Sequence, residues 1–236
     1  YEDRFHELEP LLAHVEKPSR YIDHEWGAIR KDDADYRCCL VYPDVYEVGL
    51  PNQGLAILYQ CANAVPDVAC ERAYVPWIDM ADAMRAAGVP LLSLEGAAPL
   101  ASFDLVGFQI PHEMAATNYL EALDLAGIPL HADERGEGDP IVIGGGPSVF
   151  NPEPLAVFFD AFLIGEGEEA IAEICREHRR LRDAGASRLE VLRGLARLRG
   201  VYVPSLYRLS HEGPCTPSGY AVPRVGEDVP PVVYKR

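Results

Sequence analysis

The chain has 236 residues, of which 48% are hydrophobic and 25% charged, enough to build one sizeable core. No run approaches the ~20 apolar residues that cross a bilayer, and no secretion signal opens the chain, so we expect a cytoplasmic protein with no membrane partner. The formal net charge is -16. A field this negative repels nucleic-acid phosphates, so we do not expect this segment alone to bind nucleic acid.

The six cysteines show no spacing that would place several thiolates around one metal ion or cluster. The sequence therefore predicts no metal site. Cys38 and Cys39 are adjacent in a strand-like run and should point to opposite faces of a sheet. We interpret them as buried packing groups, in preference to a redox pair.

Eight arginines lie between residues 176 and 199. They could contact RNA or an acidic neighbouring domain, but a solvated helical face is the stronger interpretation.

Apolar runs and helical stripes alternate along the chain. Strands are predicted at 37–43, 70–75, 91–94, 103–110, 141–144 and 161–165. Helices are predicted at 52–64, 78–87, 113–126, 168–183 and 188–199. This alternation is typical of βαβ crossovers. It predicts an α/β fold with a doubly wound, mainly parallel, five-stranded Rossmann-like sheet.

Three regions follow from this order: an N-terminal arm at 1–36, the Rossmann-like domain at 37–199, and a proline-rich extension at 200–236. Proline excludes central-strand positions, so strands at 201–210 and 219–225 should lie at an edge or outside the main sheet. We expect residues 211–236 to pack poorly on the core. Because the chain opens on Tyr1 and closes on an extended segment, we also expect further chain on both sides.

In an open parallel sheet, ligands bind beyond the carboxyl ends of the strands. Three loops should converge there: 43–54, 109–113 and 144–154. The glycines at 144–146 would let a flat ligand lie against bare backbone, although an ordinary turn is an equal alternative. No nucleophile, base and orienting group form a recognisable set, and His178 falls among apolar helical positions, which indicates packing.

The segment GEGEEA at 165–170 fits the pattern GxGxxA of dinucleotide-binding loops. Its three glutamates would stand where a pyrophosphate must approach, and the motif follows the last strand, whereas the fingerprint belongs to the first. A free-standing nucleotide-dependent enzyme is therefore disfavoured.

Three segments together resemble a known family: KPSRYIDHEW at 17–26, YPDVYEVGLPNQGLAILY at 42–59, and IVIGGGPSVFNPEPLAVFFDAFLIGEGEEA at 141–170. They are similar to the N-terminal region of bacterial radical S-adenosylmethionine (SAM) proteins, where a cobalamin-binding-like domain precedes the SAM domain. The resemblance implies a corrin held over the strand ends, with a four-iron four-sulfur cluster and SAM in a following radical SAM domain.

In cobalamin domains of methyltransferases and mutases, a DxHxxG loop after the first strand gives a histidine to cobalt. The corresponding loop here reads PDVYEVG and has no histidine. The resemblance and the strand-end loops together mark these cofactor-binding candidates: Asp44, Tyr46, Glu47, Gly49, Asn52, Gln109, His112, Gly144, Gly145, Gly146, Pro147, Gly165 and Glu166.

Two hypotheses remain open at this point. The first is an accessory cobalamin-binding-like domain of a radical SAM enzyme, itself without catalytic residues. The second is a degenerate Rossmann-like scaffold that binds no cobalamin and docks RNA, a protein or the catalytic domain.

Overall fold

A computed structural model describes residues 3–23, 25–31, 33–210 and 220–236. Its longer helices are α1 Gln53–Asn63, α2 Ile78–Ala87, α3 Ala116–Ala126, α4 Ala170–Asp183 and α5 Arg188–Leu195. Its strands are β1 Tyr36–Tyr42, β2 Val68–Tyr74, β3 Leu105–Gln109, β4 Ile141–Gly145, β5 Ala161–Leu163, β6 Val201–Tyr202, β7 Tyr207–Ser210 and β8 Tyr220–Pro223. Single helical turns at Phe5–Leu8 and Tyr46–Gly49, and short 3-10 turns, fill the connections. None of the helices in these described ranges has the length and apolarity of a membrane span.

The main sheet has the order β2-β1-β3-β4-β5-β6. The first five strands are parallel, which confirms the doubly wound, mainly parallel fold. β6 adds an antiparallel sixth strand at the edge beside β5. Its edge position agrees with the prediction for a strand within 201–210, but the predicted count of five strands is wrong, because β6 makes the sheet six-stranded. β7 and β8 form a separate two-stranded sheet, as expected for proline-rich segments.

The strand predicted at 91–94 is wrong. Only an isolated bridge between Leu92 and Pro99 forms there. The backbone N–H of Leu91 instead donates to Leu125 at the end of α3, 2.9 Å away. Because the chain turns back on itself between Leu92 and Pro99, it cannot extend alongside a neighbouring strand.

Central strands are buried on both faces, as the apolar runs predict. Cys38 and Cys39 are both fully buried, which confirms that they are packing groups. Burial raises the pKa of the Cys39 thiol well above its usual value, so this sulfur stays protonated. On the β3 and β4 side, Phe108 and Phe159 stack edge to face with Tyr119 and fill the layer beneath α3.

The N-terminal arm contacts the chain at both ends of β2. Lys31 Nζ donates to the carbonyls of Asn63, Val65 and Val68 at 2.6 to 3.0 Å, which neutralises the end of α1. The Tyr21 hydroxyl accepts from the backbone N–H of Trp77, just after β2. The arm therefore belongs to the same folded unit as the sheet.

The C-terminal extension returns to the main sheet at its last residue. The Arg236 backbone N–H donates to the carbonyl of Ile164, immediately after β5, at 3.1 Å. Of the segment predicted to pack poorly, 211–219 lies outside the described residues. None of residues 221–236 is fully buried, yet Val229 and Val233 pack against the core.

Candidate functional site

A cleft of about 230 Å³ opens at the carboxyl ends of the parallel strands, between one sheet face and helices α1 and α4. Two rows of residues form its floor, because paired residues in a parallel sheet point to the same side. The inner row contains Leu40, Gly107 and Ile143. The outer row contains Gln109, Gly145 and Leu163.

Apolar helical side chains form the roof of the cleft. They come from α1 and from the first two turns of α4: Leu55, Ile57, Leu58, Ile171 and Ile174. Seven glycines line the same space, at positions 54, 107, 144, 145, 146, 165 and 167. Apolar walls and bare backbone together favour a flat ring over a highly charged ligand.

The three consecutive glycines serve three different purposes. A Cβ on Gly145 would have no atom within 4 Å and would point into the cleft. A Cβ on Gly144 would point to the other sheet face, 2.6 Å from Ile110 Cδ1 and 2.9 Å from Phe162 Cδ1. Gly146 has φ +127°, which side chains rarely adopt, and lies against the Ile110 backbone. Of these three glycines, only Gly145 has neither a steric nor a backbone requirement for glycine within the fold.

Gln109 is the polar group on the cleft floor. Its Oε1 is buried and has no hydrogen-bond partner within the part of the chain that the structure describes. An unsatisfied buried carbonyl oxygen costs about 1–3 kcal/mol, so a donor from a bound molecule would stabilise this position. A Cβ placed on Gly54 would lie 3.6 Å from Gln109 Nε2, so the amide stands at the junction of β3 and α1.

The mouth of the cleft is acidic and is bordered by the C-terminal segment. Glu166 and Glu168 line it from the loop between β5 and α4. Lys235 Nζ lies 3.3 Å from Glu166 Oε1. Gly165, with φ +127°, lies so close to Arg236 that any Cβ would fall 2.5 Å from the Arg236 carbonyl oxygen. Glycine at this position is therefore needed to seat the segment.

Seven of the residues predicted from sequence line this cleft: Gln109, Gly144, Gly145, Gly146, Pro147, Gly165 and Glu166. The second and third loops are joined directly, since Ser148 Oγ donates to the carbonyl of Pro111 at 3.2 Å. The first loop reaches the cleft only through its last residue, Gly54.

The other residues predicted in the first loop do not line the cleft. Glu47 forms ion pairs with Lys17 and Arg20 of the N-terminal arm. Asp44 accepts a hydrogen bond from the backbone N–H of Val45, 2.7 Å from its Oδ1. Asn52 caps α1, because its side-chain Oδ1 accepts a hydrogen bond from the Leu55 N–H.

Two further first-loop candidates pack against the end of β2. The Tyr46 ring lies edge to face on Tyr74. Gly49 is buried where a Cβ would fall 2.5 Å from the Tyr74 ring. His112, in the second loop, is exposed at the start of the 3-10 turn Glu113–Ala115 and does not line the cleft.

Sequence reasoning missed most of the apolar lining: Leu40, Leu55, Ile57, Leu58, Gly107, Phe108, Ile143, Leu163, Gly167, Ile171 and Ile174. Their pattern is that of ordinary core positions. The half-exposed Ile57, on a helix that otherwise packs on the sheet, becomes informative only once the fold is known.

The arginine-rich stretch is largely neutralised by neighbouring acids. Six of its eight arginines form ion pairs with carboxylates: Arg179, Arg180, Arg182, Arg188, Arg193 and Arg197. Arg199 donates to the carbonyl of Lys235. This pairing lowers the net positive charge that the stretch presents to a phosphate backbone.

Among the described residues, no group of His, Cys, Asp and Glu side chains is placed to hold a metal ion. His178 is buried, and its Nδ1 lies 2.8 Å from the Tyr36 hydroxyl. Burial lowers the pKa of His178 to about 4, because the charged form loses its hydration. The predicted packing role of this histidine is confirmed.

A family model described as "Radical SAM proteins, N-terminal" matches residues 54–204, which is more than half of the chain. The chain belongs to this family. No curated protein and no solved structure shows detectable similarity to it. The match runs from the first glycine of the cleft to just beyond β6. Within this radical SAM N-terminal domain, the matched part thus includes both helices that roof the cleft.

Proposed function

We propose that this chain is the accessory domain of a radical SAM enzyme and holds cobalamin at the cleft, facing a catalytic domain that binds the iron-sulfur cluster and SAM. The observation that carries the proposal is the apolar, glycine-floored cleft at the strand ends of a 2-1-3-4-5 sheet. In such sheets the strand order reverses beside β1, and ligands bind in the crevice at that point. Bound cobalamin would supply a cobalt centre able to carry a methyl group.

The size of the cleft selects one part of the cofactor. About 230 Å³ is below the volume of typical ligand pockets and far too small for a corrin with its side amides. The flat benzimidazole base fits an apolar slot between Gly145 and the helices. The corrin would then lie over the strand ends, where Gln109 and Glu168 offer oxygen acceptors to its amide N–H groups.

The residues present fit the base and the corrin edge but offer no ligand to cobalt. Among the described residues, no histidine or cysteine lines the cleft, and His112 is exposed outside it. In this proposal the chain binds the benzimidazole base and the edge of the corrin ring. The cobalt face is left to solvent or to the neighbouring domain.

A retention experiment tests the proposal. Purified protein is mixed with hydroxocobalamin under anaerobic conditions and desalted, and the corrin absorption that remains is measured. The wild type should retain the corrin absorption. The fraction of Gly145→Val protein that carries cobalamin should be at least ten-fold lower, because the valine fills the slot. Gly138→Val is the matched control, since a Cβ there also meets open space but lies in the loop before β4.

His112→Ala should reduce retention by less than Gly145→Val, because an exposed histidine contributes at most one hydrogen bond, typically about 1 kcal/mol. Wild-type protein that retains no corrin at saturating ligand would contradict the proposal. Normal retention by Gly145→Val would place the cofactor elsewhere.

A further inference from the structure

Large exposed apolar side chains recur in the loops that follow the parallel strands. Met114 is 85% exposed after β3, Phe150 is 62% exposed after β4, and Ile78 is 65% exposed after β2. Trp77 and Val48 are also about half exposed, after β2 and β1. We call these five residues the apolar rim.

Hydrogen bonds join the rim loops in the order of the strands. The Val75 N–H donates to the carbonyl of Asp44, which connects the loops after β2 and β1. Asn118 donates to the carbonyl of Pro43, which connects β1 to the start of α3. The Ser148 contact with Pro111 connects the loops after β3 and β4. The apolar rim therefore lies along one boundary of the sheet, the one formed by the carboxyl ends of its parallel strands.

The C-terminal segment continues this surface. Lys235 Nζ lies 5.9 Å from the centre of the Phe150 ring. Val232 and Tyr234 are 54% and 71% exposed. Arg236 is anchored beside them, because its guanidinium forms two 2.6 Å hydrogen bonds with Glu173 of α4. Any chain that follows Arg236 therefore starts at the apolar rim.

The basic groups beside the rim are paired with carboxylates, Lys235 with Glu166 and Arg236 with Glu173, and further carboxylates lie next to them. Glu113 is exposed next to Met114, and Glu168 is exposed at the cleft mouth without an ion-pair partner among the salt bridges of the described residues. A complementary surface would have an apolar centre and a border of lysine or arginine. Exposed apolar patches with a polar border are typical of protein interfaces.

We propose that the apolar rim is the docking surface for the domain that follows Arg236 in the same chain, through an apolar patch edged with basic residues. This inference rests on the proposed function only in requiring a following domain; it does not require cobalamin. Docking at this edge closes the cleft mouth and brings the catalytic domain to the cofactor.

The three methionines supply a test that needs no disruptive variant. Met80 and Met84 are buried, at 0% and 2% exposure, whereas Met114 lies in the rim. The protein from the complete reading frame is oxidised with dilute hydrogen peroxide, without cobalamin, and sulfoxide at each methionine is followed by mass spectrometry. A Leu189→Met variant provides an exposed reference in the same molecule, because Leu189 is 45% exposed and its neighbour Arg188 bonds to the chain just before β4, at the other end of the strands.

If the rim is covered, Met114 should oxidise at least ten-fold more slowly than the Leu189→Met side chain, although it is more exposed in this chain. Equal rates would overturn the inference. Protection that disappears on dilution would also overturn it, since the rim would then be covered by a second copy. Corrin retention with an unprotected Met114 would leave the cofactor proposal standing and refute docking alone.

Discussion

Alanine substitutions at Gly144 and Gly145 should have opposite effects on stability, although the two residues are adjacent. In Gly144→Ala, the new methyl would meet Ile110 Cδ1 at 2.6 Å and Phe162 Cδ1 at 2.9 Å. Both partners are core side chains, 1% and 0% exposed, so neither can move into free space. Overpacking of this kind costs about 1–3 kcal/mol.

Gly145→Ala adds its methyl to the open cleft, where nothing lies within 4 Å. Gly145 is not among the glycines with positive φ, so alanine is unstrained there. Replacing glycine by alanine at a compatible position reduces the conformational entropy of the unfolded chain and stabilises by about 0.4–1 kcal/mol. The two variants should therefore differ by at least about 1 kcal/mol, with Gly145→Ala the more stable.

Urea unfolding of both variants beside the wild type gives this difference directly, provided that the slopes of the transitions agree. Equal midpoints, or a Gly145→Ala variant that is less stable than Gly144→Ala, would refute the assignment of Gly145 to the cleft and Gly144 to the core. Without that assignment, the glycine floor would carry no argument about a ligand.

Two further predictions concern buried ionisable groups near the amino ends of the strands, away from the mouth of the cleft. Asp160 lies 2.8 Å from both Arg135 and Arg188 and is 3% exposed. Asp160→Ala would leave the fully buried Arg135 guanidinium without its carboxylate, so unfolding in urea should show a loss of about 3–5 kcal/mol; a loss below about 1 kcal/mol would contradict the buried triad. His178 has a native pKa of about 4 against 6.5 in the unfolded chain, so only the unfolded state binds the proton between these values. Its contribution is complete above pH 6.5 and falls by roughly 3 kcal/mol as the pH drops to about 4, at 1.36 kcal/mol per pH unit. The free energy of unfolding of His178→Phe should lack this part of the pH dependence. If it changes with pH in parallel with that of the wild type, the assignment to His178 is contradicted.

The sequence predicts the layers of the fold well, because each central strand is a continuous apolar run and helices α2 and α3 end at glycines 88 and 127. Boundaries are less well predicted. The helix expected over 188–199 ends at Leu195, and the one expected from 168 begins at Ala170. The first and last turns of a helix depend on local hydrogen bonds, and the spacing of apolar residues does not predict these.

The candidate site is predictable in its glycines and not in its first loop. Bare backbone at a strand end is a local signal, so Gly145 and Gly165 could be found from their neighbours. Glu47 is held away from the cleft by its ion pairs with Lys17 and Arg20, which are 30 and 27 positions away along the chain. The fold decides this contact, and no local pattern in 43–54 contains it.

The affinity of the wild-type protein for cobinamide, which lacks the benzimidazole nucleotide, tests the central claim most directly when compared with its affinity for cobalamin. Both are titrated anaerobically and followed by the corrin absorption bands. The cleft beside Gly145 should make cobalamin bind at least ten-fold more tightly, because only cobalamin carries a base to fill it. Equal dissociation constants, or binding of neither compound, would contradict the account.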